Sequence, residues 1–370
     1  MAFSMLPKMY MATWNVLTEK LETATAIYEH RYNLRDVFPD ISSDLLDNIA
    51  RVDTFLPRCH AEMEWAERNR VACIPVADTR FPERLKQAQD APIMLYMRGN
   101  ADLNKRHIIS MVGTRQMTDY GREMCERFIQ ELAMECPDVM VLSGLAYGVD
   151  IHCHRLSLKT NIPTVGILAH GLDRVYPALH RDTAVQMENT QGCGLLSEFM
   201  SNTSIEKRFF VQRNRIIAAC ADAVIVAESA IRGGSLITAE IANSYDKDVF
   251  AFPGRATDKY SQGCNMLIAG NSASLVQKAS DFVEAMGWQD YRKLKEQQTN
   301  GVQQELFPVL SEEEQLVVNC LKEKDMLQMN NIAILTGIAV GHLSGILFSM
   351  EIRGILRMMP GGMYRLQYNV

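Results

Sequence analysis

Ile108-Ile109-Ser110-Met111-Val112-Gly113-Thr114-Arg115 decides the fold. The first five residues are almost wholly apolar and do not alternate, which reads as a strand buried on both faces, and Gly113 ends it in a turn. A helix is predicted next, because Met124, Phe128, Leu132 and Cys136 recur at helical spacing while Ile129 and Ala133 widen the stripe. Val139-Met140-Val141-Leu142 then repeats the strand. It closes with Ser143-Gly144-Leu145-Ala146-Tyr147-Gly148-Val149-Asp150, and further runs follow at Thr164 to Leu168, Val224 to Ala227 and Val249 to Phe252. Apolar runs alternating with amphipathic helices predict the α/β class: a Rossmann-like, doubly wound, mostly parallel sheet covered on both faces.

In such sheets ligands lie beyond the carboxyl ends of the strands. Four glycine-bearing turns are expected at that rim: Gly113-Thr114-Arg115, Ser143-Gly144, Gly171-Leu172-Asp173 and Arg232-Gly233-Gly234-Ser235. Glycine lets a backbone approach a phosphate, and the N–H groups of a following helix start can bind it. The strongest anion signal lies between the third and fourth turns, in Phe209-Phe210-Val211-Gln212-Arg213-Asn214-Arg215-Ile216-Ile217. From Lys207 to Ala221 the chain has four basic residues and no acidic one, although its net charge is -6. The small apolar residues after Arg215 read as a buried helix body, with Arg213 and Arg215 expected at its N-terminus. Phe210 adds a ring on which a base can stack, and backbone charge beside a ring is what a single nucleic-acid strand requires. Phe209 reads as a core residue.

The 370 residues exceed one ordinary core, so two or three domains are expected. Residues 1–70 read as a helical accessory domain of the SAM or helix-hairpin-helix kind, with Trp14, Leu17, Leu21 and Ala24 at helical spacing. Residues 71–287 form the Rossmann-like domain, and 288–310 a polar linker. Residues 311–370 read as a winged-helix domain: a capping box at Ser311-Glu312-Glu313-Glu314, three helices, and a hairpin around Pro360-Gly361-Gly362. Six acids against five bases in that segment favour a protein-contacting or structural role over duplex binding.

Composition narrows the function further. With 47% hydrophobic and 22% charged residues, no signal-peptide pattern and no apolar run of bilayer length, a cytoplasmic protein without a membrane partner is expected. The nine cysteines form no Cys-x-x-Cys pair, so neither a zinc ribbon nor a disulfide framework is indicated. The turn after Val112 lacks the second and third glycines of a dinucleotide fingerprint, and there is no P-loop, so NAD and ATP are discounted and no cofactor is expected. His152 and His154 lack a third ligand and read as packing residues. Glu198 and Asp173 could form a catalytic pair, but nothing in the sequence fixes their separation, and Asp173 reads as a turn former.

The motifs resemble, in order, those of the bacterial DNA-processing protein A family (DprA, also called Smf). They are Val112-Gly113-Thr114-Arg115, Ser143 through Asp150, Ser197-Glu198-Phe199, Phe210 through Ile217, Gly234-Ser235-Leu236-Ile237-Thr238-Ala239, Phe252-Pro253-Gly254 and Gly263-Cys264-Asn265. The likeness spans about 71–287. It implies an extended Rossmann-like fold in a non-catalytic protein, usually dimeric, that binds single-stranded DNA and helps load the RecA recombinase in natural transformation. By that likeness Arg115, Lys207, Phe210, Arg213, Asn214 and Arg215 line the DNA groove. The N–H groups around Gly144, Gly233, Gly234 and Ser235 would hold the DNA backbone. An alternative for Arg213 or Arg215 is to brace the fold through a carboxylate such as Glu198. Val211 stands where the motif commonly has proline, and Gly233 where serine is frequent.

Two other classes remain open. Gly233 through Glu240 echoes the P-G-G-x-G-T-x-x-E motif of Rossmann-like phosphoribohydrolases, without its third glycine and adjacent threonine. A pure interaction scaffold is the other.

Overall fold

The computed structural model describes residues 1–288 and 310–366, apart from 325, 354, 360 and 361. The expected linker at 288–310 lies almost wholly outside the described residues. The chain divides into two compact units, Met1–Arg292 and Lys293–Val370.

The first unit is built on nine strands: β1 (Ala72–Pro75), β2 (Met94–Gly99), β3 (His107–Val112), β4 (Val139–Ser143), β5 (Thr164–Leu168), β6 (Gly194–Ser197), β7 (Ala223–Val226), β8 (Asp248–Ala251) and β9 (Ser274–Leu275). Their spatial order is β1-β2-β6-β5-β4-β3-β7-β8-β9. From β6 through β9 every pairing is parallel, while β1 and β2 join antiparallel at one end. Each of β3, β4, β5, β6 and β7 is buried along its whole length, which for β3, β4, β5 and β7 is the condition the unbroken apolar runs foretold. One layer of helices packs Phe128, Ile129 and Phe282 against Phe250 and Phe252. The other buries Ile216, Ile217, Leu236 and Ala239 against Met140, Leu142 and Val224.

Chain order reverses at β3. Its successor β4 lies on one side, and β7 lies on the other. This is a topological switch point, the place beyond the strand ends where such sheets bind their ligands. The helix Lys207–Ala219 connects β6 to β7 and therefore begins at that same rim.

Short helices fill residues 1–70, the longest being Met11–Leu21 and Leu56–Arg68. They pack onto the sheet-bearing part within one unit. Met11 and Ala12 donate backbone N–H groups to Ala91 and Gln89. Glu62, buried, accepts from the Ser201 backbone N–H at 2.8 Å and from its hydroxyl at 2.5 Å, and Arg58 donates to the Ser201 carbonyl at 2.6 Å.

The second unit has helices Glu312–Glu323, Met329–Thr336 and Val340–Ile352 with three strands, β10 (Leu327–Gln328), β11 (Leu356–Met359) and β12 (Met363–Leu366), in the antiparallel order β10-β12-β11. Val317, Leu321, Ile332, Leu343, Leu347 and Leu356 form its core. The capping box at Ser311 is present: its hydroxyl accepts from the Glu314 N–H at 3.2 Å and its own N–H donates to the Glu314 carboxylate at 3.0 Å. Among the described residues no single helix is long and apolar enough to cross a membrane.

Candidate nucleic-acid interface

The turn after β3 is clamped from two sides. Glu228, buried at the end of β7, accepts the Thr114 N–H through its carbonyl at 2.8 Å and the Thr118 N–H through its carboxylate at 2.9 Å. Thr118 also donates its hydroxyl to that carboxylate and caps the Asp119–Glu135 helix by accepting from Gly121. On the other side Val149 donates to the Thr114 carbonyl at 3.2 Å. Gly148, at φ +76°, runs against the Thr114 carbonyl and the Arg115 backbone, where a Cβ would have no room. Arg115 is thus an exposed side chain on a fixed backbone.

It reaches the start of the Lys207–Ala219 helix. The Arg115 guanidinium carbon lies 5.6 Å from the centroid of the Phe210 ring, a cation–π contact. Lys207, Phe210 and Asn214 fall at i, i+3 and i+7, one face of the helix, with Lys207 exposed and the other two half-buried. The first turn of the sheet and the first turn of this helix therefore present a cation, a ring and a second cation together. Phe209 instead packs on Phe199, with centroids 4.6 Å apart.

The structure corrects the expectation for Arg213 and Arg215. The helix begins at Lys207, six residues before Arg213, so both arginines lie in its middle and are buried. Arg213 donates to the Ile167 carbonyl at 2.5 Å. Burial lowers its pKa to about 10, with Asp150 opposing the shift, so it keeps its charge at neutral pH. Arg215 is ion-paired with Glu198, both nearly inaccessible, and Gln212 bonds the same carboxylate at 3.1 Å. Burial pushes the Glu198 carboxyl up, and Arg215 pulls against that shift. Both guanidiniums brace the fold.

Gly144 also departs from its expected role. Its N–H donates to Asp150 at 3.1 Å, and the space a Cβ would fill holds the Arg213 guanidinium. Asp150, itself buried and raised in pKa by that burial, is the carboxylate around which the second turn folds. At the fourth turn Gly233 donates its N–H to the Ala230 carbonyl at 2.9 Å, and the buried Ser235 donates to the Ser229 hydroxyl at 2.9 Å. Gly234 is exposed at the first position of the Gly234–Ser244 helix.

The remaining candidates from sequence are placed as follows. His154 is buried on the Val149–Lys159 helix with Nδ1 2.7 Å from the Thr164 hydroxyl, and His152 lies 3.4 Å from Glu126. Asp173 accepts the Asn202 N–H at 3.0 Å and pairs with Arg174. Glu240 is exposed on the Gly234–Ser244 helix, near the middle of its length. Sequence reasoning missed the bracing carboxylates Asp150 and Glu228. Asp150 follows Gly144 within one short turn, a spacing suited to accepting that turn's free N–H groups, which is the signal that could have found it.

A Rossmann-like sheet with a cation-and-ring rim at its switch point defines the broad class, a nucleotide- or nucleic-acid-binding α/β protein. The chain belongs to the DNA recombination-mediator protein A family, whose profile matches residues 72–287. DNA processing protein DprA of Streptococcus pneumoniae (strain ATCC BAA-255 / R6) is 37% identical over 208 residues, covering 56% of this chain and 72% of that protein. The X-ray structure of DprA from Streptococcus pneumoniae superposes with TM-score 0.62 at 29% identity, covering 77% of this chain and 97% of the other. DNA processing protein A from Helicobacter pylori, whose structure is described as giving insight into a single-stranded DNA binding mode, superposes with TM-score 0.52 at 26% identity, covering 58% of this chain and 95% of that one. Family membership points to a role in DNA processing and recombination.

Proposed function

We propose that the chain binds single-stranded DNA along this rim, with Arg115 and Lys207 neutralising phosphates and Phe210 stacking a base. The observation that carries the reading is the meeting of Arg115 and Phe210 from two separate elements, with Lys207 on the same helix face. A phosphate-only site has no use for the ring, and a core ring has no use for two cations beside it. Asn214 extends the same face by one turn, and the exposed Gly234 offers a backbone N–H at a helix start. On this reading the chain is a cytoplasmic, non-catalytic mediator that acts as a homodimer and hands a coated strand to the RecA recombinase, a reading that membership of the recombination-mediator family supports. The helical segment 1–70 and a winged-helix second unit would serve as accessory modules.

The test is a titration of fluorescent oligo(dT) and of duplex of equal length at two salt concentrations. The single strand is expected to bind more tightly. Arg115→Gln and Lys207→Gln should each weaken binding to every single-stranded sequence and reduce the salt slope by about one unit per lost phosphate contact. An unchanged slope in both variants would show that the strand runs elsewhere.

A further inference from the structure

We infer that Tyr176 is a second base platform, so that the rim holds two neighbouring nucleobases of an unpaired strand, one on Phe210 and the next on Tyr176. The inference rests on the single-strand reading above and extends it to a residue that reading does not use.

Tyr176 lies in the loop after β5 and is 46% exposed. Its ring centroid is 5.9 Å from that of Phe210, with the planes at 62°. Phe210 is therefore flanked by Arg115 and by Tyr176, three side chains from three separate segments of the strand-end rim. The tilt matters. One base lying flat on two rings needs them nearly parallel and about 7 Å apart, twice the ordinary contact of about 3.5 Å. At 62° each ring can offer a face only to its own base, so two rings mean two bases with the strand turned between them.

The loop is held still while the ring is left out. The Tyr176 N–H donates to Nε2 of the buried His170 at 3.3 Å. That assigns the proton to Nδ1, which donates to the Gly171 carbonyl at 2.8 Å. The Ser197 hydroxyl fixes the His170 carbonyl at 2.7 Å, Asn202 fixes Asp173, and Val175 packs against the buried cluster to which Leu172 and Met200 belong. The Tyr176 hydroxyl has no hydrogen-bond partner among the described residues, so no polar tether draws the ring onto the protein. An aromatic face on a rigid backbone binds a base with little loss of conformational freedom.

The experiment uses the full chain with Tyr176→Ala, Tyr176→Phe, Phe210→Ala and the Tyr176→Ala/Phe210→Ala double variant. Oligo(dT) affinity is read at two salt concentrations, and thermal melting of each variant confirms folding. Tyr176→Ala is expected to bind roughly 5- to 150-fold more weakly, the loss of one base–aromatic stack, with the salt slope unchanged. Tyr176→Phe should bind as the parent does, and the double variant should be weaker than Phe210→Ala alone. Ultraviolet crosslinking to an oligo(dT) carrying 5-iododeoxyuridine should mark Tyr176 in the parent chain. If Tyr176→Ala costs nothing further on the Phe210→Ala background, or the crosslink is absent from Tyr176, the residue only props Phe210 and the second platform is refuted. Failure of the parent chain to bind oligo(dT) at all would instead remove the single-strand reading, and this inference with it.

Discussion

In the helix Lys207–Ala219, the first turn holds Lys207 and Arg208 in solvent, whereas the middle holds Arg213 and Arg215 at 4% and 6% exposure. Four cations of one run have been sorted by helical phase into two kinds of work. Those at the start face outward at the rim. Those further on are committed to Ile167, Asp150 and Glu198, and hold the helix to the strand ends. A buried guanidinium needs an opposite charge or acceptors close by, and an exposed one gains little from a partner in water. Positive charge near a ligand site is therefore no measure of charge available to the ligand.

The largest expected effect tests the buried side of this comparison. Arg215→Ala leaves the Glu198 carboxylate buried with only Gln212 beside it, and should lower unfolding stability by about 3–5 kcal/mol in a urea titration. Pairing Arg215→Met with Glu198→Leu should be milder than Arg215→Ala alone. A loss below about 1 kcal/mol for Arg215→Ala would erase the distinction between the two ends of the helix.

A smaller effect concerns His154, which shares the interior with Arg213. Burial first, then the charges of His180 and Arg213, hold its pKa at about 3. The folded imidazole stays neutral while the unfolded one takes a proton below about pH 6.5. Its contribution is thus fully present above that pH and is lost as pH falls from about 6.5 towards 3. Comparing parent and His154→Asn unfolding across pH 4 to 6.5 should show a shallower pH dependence in the variant, by up to about 1.4 kcal/mol per pH unit. The raised carboxyls Asp150 and Glu198 work in the opposite direction but are common to both proteins, so the difference isolates His154. Parallel curves would place the titration elsewhere.

The smallest effect sharpens the exposed side. Arg208 stands in solvent beside Glu206 at 2.7 Å, so Arg208→Gln should change unfolding stability by no more than about 0.5 kcal/mol. A larger loss would mean that the first turn too is structural.

Much of the sheet was legible in the sequence because strands buried on both faces need unbroken apolar runs. β3, β4, β5, β7 and β8 lie within a residue or two of where those runs lie. β6 was harder to see: it is a four-residue strand, Gly194-Leu195-Leu196-Ser197, known from sequence only by the Ser197 motif beside it. The rim was legible in residue type but not in depth. Arg213 is in phase with Ile216, Ile217 and Cys220, the i, i+3, i+4, i+7 stripe that faces the core, and that phase was the available signal of its burial. Starting the helix at Arg213 hid the phase. The service of Gly144 to Arg213, rather than to a ligand, depends on contacts between segments some 70 residues apart, which local spacing does not carry.

The clasp of Arg58 and Glu62 on Ser201 bears on how this molecule can be shortened. Residues 198–206 lead directly into the basic helix, and the helix Leu56–Arg68 grips that lead-in at its midpoint. A fragment beginning at Val71 would keep every rim side chain yet surrender the anchor upstream of Lys207. Any loss of anion affinity at the rim of such a fragment would then come from the ordering entropy of a loosened leader, with the charges all still in place.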